Sequence, residues 1–361
     1  MKTSEHGGNI FAAGRDSGRR LHRLIDFSAS INPLGSSTRA IAAIVSSFSL
    51  TAHYPDPDCT ALREKLAARY GCLSEQVAIG NGSTELIHLL PRAFSIRRAL
   101  IIGPTFSEYE RAVRLSGGEV VRMNAKRTED YRPPIAEALM YVRRNPTACD
   151  ALILCHPNSP TGQAANREEA LELVGTVSRR RGWAIVDETF VDYCEERSML
   201  PALTRVPRLI VLRSFTKFYA LPALRIGYLV GSAAAIRRIK PWQPPWSVST
   251  LSQAAASASL DDTRYARESR AFMAFERPRL ITRLKSLDGM IVYPSAANFL
   301  LVELPQPYTA GDIVGALRAQ GVLIRDCSSV PGLNVRTVRV AVRTALQNDR
   351  LFAALRRLLR R

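Results

Sequence analysis

Five short, unbroken apolar runs constrain the fold of this chain more than anything else in it: Val77-Ala78-Ile79, Ala99-Leu100-Ile101-Ile102, Ala151-Leu152-Ile153-Leu154, Trp183-Ala184-Ile185-Val186 and Leu209-Ile210-Val211-Leu212. Runs that are apolar throughout, rather than alternating, belong to strands covered on both faces, and the helix-length segments between them supply that cover. The expected architecture is a mostly parallel sheet in an α/β domain. Each run gives way at once to polar or glycine residues. Ligands of such sheets gather beyond the carboxyl ends of the strands, so the chemistry is expected in those loops.

A chain of 361 residues exceeds one minimal core and fits a large domain with a smaller partner. The stretch Trp242-Gln243-Pro244-Pro245-Trp246 breaks regular structure and suits a hinge. The expected division is an N-terminal arm over 1–35, a large domain over 36–245 and a small C-terminal α+β domain over 246–361. Beyond the hinge a long helical region is expected from about 249 to 287, then strands near 297–302 and 337–343. In the second strand Arg339, Ala341 and Arg343 alternate with three valines, so the arginines share one face.

Composition narrows the class further. No apolar run approaches the ~18 residues of a membrane span, and the first residues lack the apolar centre of a signal peptide, which predicts a cytoplasmic protein. Six cysteines stand apart from one another without Cys-x-x-Cys or zinc-type spacing, predicting reduced, mostly buried thiols and no metal. The net charge of +18 suits anionic ligands, but the arginine runs are not interleaved with aromatics, so no nucleic-acid partner is expected.

The loops after the apolar runs carry the candidate chemistry. Ser214-Phe215-Thr216-Lys217, with Arg225 eight residues beyond the lysine, joins a potential imine-forming amine to hydroxyls and a guanidinium. That is the equipment for a phosphorylated aldehyde such as pyridoxal 5'-phosphate. Gly80-Asn81-Gly82-Ser83-Thr84 turns into a helix whose free amides and positive dipole end suit an anion. Asp187 sits at a strand end, where a carboxylate can hold a pyridine nitrogen protonated. Asn158, in Pro157-Asn158-Ser159-Pro160-Thr161-Gly162, could donate to a ring oxygen, and Phe106 could stack on an aromatic cofactor. Singly, each has an ordinary structural explanation: a turn former, a helix cap, a core aromatic.

Taken together, Asn158, Asp187, Ser214-x-Thr216-Lys217 and Arg225, in that order and spacing, resemble fold-type I pyridoxal-phosphate enzymes of the aminotransferase class I/II family. Within it the chain is similar to the histidinol-phosphate aminotransferases and, more closely, to the threonine-phosphate decarboxylases of cobalamin biosynthesis. The second likeness rests on His6-Gly7-Gly8-Asn9, the segment from Asp26 to Gly35, Tyr54-Pro55-Asp56-Pro57-Asp58, and the ending around Arg325, Pro331-Gly332 and Val338-Arg339-Val340. The resemblance implies Lys217 as the Schiff-base lysine, Asp187 as partner of the ring nitrogen, Asn158 near the ring hydroxyl and Phe106 on the ring. It implies Ser83, Thr84, Ser214, Thr216 and Arg225 around the cofactor phosphate, with Tyr54 reaching in from the other subunit of a homodimer. Arg339 would clasp the carboxylate of a small phosphorylated amino-acid substrate, and Arg325, His6 and Asn32 would face its phosphate. One departure stands out: Phe190 occupies a position where the aminotransferase pattern often has a tyrosine, so a ring-hydroxyl donor is missing.

Overall fold

A computed structural model describes residues 7–145, 147 and 149–359 of the chain. Its centre is a seven-stranded sheet, and the strands are numbered here along the whole chain. A two-residue strand, β1 (Ile25–Asp26), precedes β2 (Val77–Gly80), β3 (Arg98–Gly103), β4 (Glu119–Asn124), β5 (Ala151–Cys155), β6 (Trp183–Asp187), β7 (Leu209–Ser214) and β8 (Gly227–Val230). The order across the sheet is β2-β8-β7-β6-β5-β3-β4, with β8 antiparallel to both neighbours and the pairs from β7 to β4 parallel. All five apolar runs lie in these strands. Every residue of β2, β5, β6, β7 and β8 is buried, as strands sandwiched between helical layers require. Truncating a central side chain such as Leu152, which is fully buried, to alanine costs about 2–5 kcal/mol.

The sequence reading missed β4 and β8. Glu119, Arg122 and Asn124 interrupt the apolar residues of β4, because it is an edge strand that faces water on one side. The four-residue β8 begins two residues after Arg225, with no helix between it and β7.

Local signals start and stop the surrounding helices. Ser37 caps the helix Thr38–Ser46 by accepting from Ala40 N, and Asn166 caps Arg167–Arg179 through Glu168 and Glu169 N. Gly71, at φ 62°, ends Thr60–Tyr70 in the left-handed conformation. The long helical region is split at Asp262, whose side chain accepts from Tyr265 N and starts Thr263–Lys285 directly after Thr250–Asp261. Among the described residues, no helix is long and apolar enough to cross a membrane.

The C-terminal part adds β9 (Ile291–Val292), β10 (Phe299–Glu303), β11 (Val322–Leu323), β12 (Arg325–Asp326) and β13 (Thr337–Ala341). Four of these form an antiparallel sheet in the order β12-β13-β10-β9. Val338, Val340 and Val342 enter the core beneath it with Leu300, Val302 and Leu351. The expected second strand is shorter than read, ending at Ala341. The N-terminal segment is stitched to this half of the molecule. β1 pairs with β11 in parallel, and Phe27 O accepts from Ala341 N. Five residues later Asn32 N donates to Lys217 O at 3.0 Å, so residues 25–32 bridge the small sheet and the Lys217 loop.

Candidate active site

At the carboxyl ends of β3, β5, β6 and β7, and against β12 and β13, lies a cavity of about 940 Å³. Lys217, Asp187, Ser83, Thr84, Phe106, Ser214, Thr216, Arg225, Arg325 and Arg339, dispersed over some 250 positions of sequence, all line it. Strand ends converge there because parallel strands present their loops on one edge.

Lys217 enters from the loop after β7. Burial, with Arg339 and Arg225 adding like charge, lowers its ammonium from 10.5 to about 8, so at pH 7 roughly a tenth of the amine is neutral, far more than for a free lysine. The anion cradle lies beside it. Gly82, at φ 77°, opens the helix Gly82–Ala93, and a Cβ there would stand 2.5 Å from Arg225 Nη2. A Cβ on Gly227 would stand 2.6 Å from Ser83 N. Both glycines thus let the arginine and the helix amides approach one small space, which Ser214 and Thr216 also border.

Asp187 is nearly inaccessible, and both carboxylate oxygens are held: Tyr109 Oη donates to Oδ2 at 2.7 Å and Thr189 N to Oδ1 at 2.8 Å. Burial raises its carboxyl above the usual range, while those hydrogen bonds and Lys217 pull the other way. Burial and the Asp187 charge push the Tyr109 phenol far up, which keeps it a donor. Tyr109 escaped the sequence reading. The available signal was its place three residues beyond Phe106, at the start of the helix Ser107–Leu115, with the two rings meeting edge to face at 5.6 Å.

Asn158 is buried beside this group. Its Nδ2 donates to Pro104 O and Thr161 Oγ1, both at 2.8 Å, and its Oδ1 has no partner among the described residues. The donor expected for a ring oxygen is therefore already engaged, and the atom left over is an acceptor.

Arg325 and Arg339 stand directly opposite each other in the β12–β13 register. Opposed residues of an antiparallel pair share a face, with Cβ atoms about 4.5–5.5 Å apart. Two guanidiniums so placed repel, and an anion between them offsets that repulsion. Burial lowers the Arg339 pKa, and the charge of Arg325 adds to the effect.

Among the described residues expected at the site, Asn32 and Tyr54 are not brought to the cavity, and Asn158 adjoins its lining residue Ser159 without lining it. Asn32 is buried elsewhere: its Nδ2 contacts Phe218 O, Tyr265 Oη and Ser269 Oγ, and its Oδ1 accepts from Leu34 N. A fully engaged amide cannot face a substrate phosphate, so the expectation is corrected to a structural brace for the Lys217 loop. Tyr54 is 80% exposed and stacks on Trp246 at 4.7 Å, away from the cavity of its own chain. His6 lies outside the described residues. Phe190, which lines the cavity, packs edge to face on Phe299 at 4.9 Å.

Behind the site lies a buried ion-pair network that sequence reasoning missed. Arg213 Nε and Nη2 both donate to Glu188 Oε2, at 3.1 and 2.9 Å, and Ser198 Oγ joins them. Glu188 follows Asp187 and Arg213 precedes Ser214, so the pair clamps the two strands that deliver the carboxylate and the lysine loop.

The aminotransferase class I and II family model matches residues 22–358. A threonine-phosphate decarboxylase of Salmonella typhimurium is 38% identical, covering 99% of this chain and 97% of its own. A histidinol-phosphate aminotransferase of Caldanaerobacter subterraneus is 31% identical over 85% of this chain and 84% of its own. Among solved structures, that of L-threonine-O-3-phosphate decarboxylase from Porphyromonas gingivalis superposes with a TM-score of 0.82 at 28% identity, covering 93% of this chain and 99% of that one.

Proposed function

The chain belongs to the aminotransferase class I and II family, and we propose that it is a pyridoxal-phosphate-dependent decarboxylase converting L-threonine O-3-phosphate to (R)-1-amino-2-propanol O-2-phosphate and CO2, for the cobalamin nucleotide loop. The observation that carries the reading is the opposed pair Arg325 and Arg339 in one cavity with Lys217, in a chain similar along its whole length to a threonine-phosphate decarboxylase.

The residues present fit the cofactor. Arg225, Ser83, Thr84, Ser214 and Thr216 would hold its phosphate and Phe106 would cover the ring; Asn158, whose buried Oδ1 has no partner among the described residues, would stand near the ring hydroxyl. When bound, pyridoxal phosphate supplies an aldehyde for amino groups and a protonated ring that takes up the electron pair of a bond broken at Cα. Asp187, braced by Tyr109 and the Thr189 amide, keeps the proton on the ring nitrogen. Lys217 would hold the cofactor's aldehyde through its amine, and its ammonium would supply the proton that Cα takes up.

Arg339 binds the α-carboxylate and Arg325 the phosphate, both suited to a planar guanidinium fork. The Cα–carboxylate bond breaks, CO2 leaves and one proton is taken up, so no acceptor 2-oxo acid is consumed. Residues 1–35 serve as an arm, 36–245 as the cofactor domain and 246–361 as the small domain. A second copy of the chain is expected against the exposed apolar side chains of Ile41, Val45 and Phe48, with Tyr54, stacked on the half-exposed Trp246, reaching the cavity of the other copy.

Turnover of threonine phosphate against unphosphorylated threonine tests the reading. Losing the charged contacts to phosphate is expected to lower kcat/KM roughly 100-fold or more. Arg325→Leu is expected to shrink that ratio; equal turnover of the two substrates by the unaltered protein would refute the assignment.

A further inference from the structure

Arg339 is held by two segments that come from different parts of the chain. Its Nη1 donates to Ser159 Oγ at 3.0 Å and its Nη2 to Ser28 O at 2.7 Å, while the guanidinium lies over the Phe299 ring at 5.2 Å. Both anchors are themselves rigidly seated. Ser159 is 9% exposed in a turn closed by Gly162 N to Asn158 O and Asn158 N to Gln163 O. Ser28 is fixed by its N and Oγ donating to Asp26 Oδ1, and its Oγ accepts from Gly8 N at 2.8 Å. Phe299 rests in turn on Phe190, where the tyrosine hydroxyl of the aminotransferase pattern is lacking. The guanidinium plane is thus set from two edges and one face, leaving Nε without a partner among the described residues.

We propose that Ser159 is a positioning residue that selects the bond broken at Cα, by fixing the plane in which Arg339 presents the substrate carboxylate. The inference rests on the decarboxylase reading above. Of the bonds at Cα, the one perpendicular to the cofactor ring breaks. A clamped guanidinium would hold the carboxylate there, so that the bound cofactor would take up the electron pair of the Cα–C bond as CO2 leaves and a proton is taken up at Cα. A guanidinium free to turn lets the Cα–H bond take that orientation. The proton would then be lost in place of CO2, the amino group would be left on the cofactor, and water would release the carbon skeleton as a phosphorylated 2-oxo acid.

Ser159→Ala removes the hydroxyl acceptor and leaves Ser28 in place. In a single turnover with threonine phosphate, the ratio of CO2 to phosphorylated 2-oxo acid is expected to fall about tenfold, the scale of one lost hydrogen bond to a charged group. Substrate affinity, read by the change in cofactor absorbance, weakens by a smaller factor. Ser159→Thr, which keeps a hydroxyl, restores the ratio, and Ser159→Cys, of nearly the same size, gives an intermediate value. An alanine or cysteine variant with the unaltered ratio overturns the role of Ser159 alone. Unaltered protein that releases no CO2 overturns the decarboxylase reading, and this inference with it.

Discussion

Replacing Arg213 by methionine tests the clamp behind the site. Arg213 and Glu188 are 2% and 0% exposed, joined by two hydrogen bonds, and Arg213 also approaches Glu195 at 3.6 Å and Asp192 at 3.9 Å. Methionine fills much of the volume but leaves the Glu188 charge with only Ser198 Oγ and Met199 N. Breaking one side of such a buried pair costs about 3–5 kcal/mol. With an unfolding entropy of about 2.1 cal/mol/K per residue, 361 residues give roughly 0.8 kcal/mol/K, and the expected fall in Tm is about 4–7 °C. Differential scanning calorimetry of the protein without cofactor reads this directly. The double variant Arg213→Met with Glu188→Leu removes both charges and is expected to recover most of the loss, because an apolar pair can replace a buried ion pair at little cost. A double variant as unstable as the sum of the two singles would refute the clamp as the cause. Cofactor affinity provides a second readout: it is expected to weaken in Arg213→Met because Asp187 and Ser214 lie one residue from the pair.

His156 is fully buried with its pKa lowered by burial to about 4, so below the unfolded value of 6.5 the unfolded chain binds a proton that the folded one refuses, and stability falls as pH drops from 6.5 to 4. Burial raises Asp192 to about 6, against 3.8 unfolded, so its contribution runs the opposite way: stability falls as pH rises from 3.8 to 6. The stability difference between Asp192→Asn and the unaltered protein is therefore expected to move by about 2 kcal/mol in favour of the unaltered protein as pH falls from 6 to 4, measured by urea unfolding; a constant difference contradicts the assignment. Lys217→Ala is expected to bind the cofactor without the long-wavelength absorbance of a lysine-linked form and to lose nearly all turnover.

The sheet was legible because burial on both faces makes residues 151–154 of β5, 183–186 of β6 and 209–212 of β7 apolar without interruption, a property of each segment alone. Edge strand β4 was hidden because one face meets water, and β8 because four residues carry little pattern. Lys217, Asp187, Arg225, Arg325 and Arg339 were found through motif spacing and resemblance, and the fold gathers them in one cavity. Tyr109, Ser28 and Ser159 were not assigned roles, since each acts through a partner 78 to 311 positions away. Asn32 shows the reverse error. Its place in a recognisable motif suggested a ligand, but the amide is spent on Phe218, Tyr265 and Ser269, contacts that no spacing reveals.

Release of CO2 from threonine phosphate, measured with and without added 2-oxoglutarate, tests the central claim most directly. Repeated turnover to 1-amino-2-propanol O-2-phosphate and stoichiometric CO2 without any 2-oxo acid is expected, at a rate that 2-oxoglutarate does not raise. Strict dependence on 2-oxoglutarate, with an amino group transferred and no CO2 released, would contradict it and favour the histidinol-phosphate type of transamination.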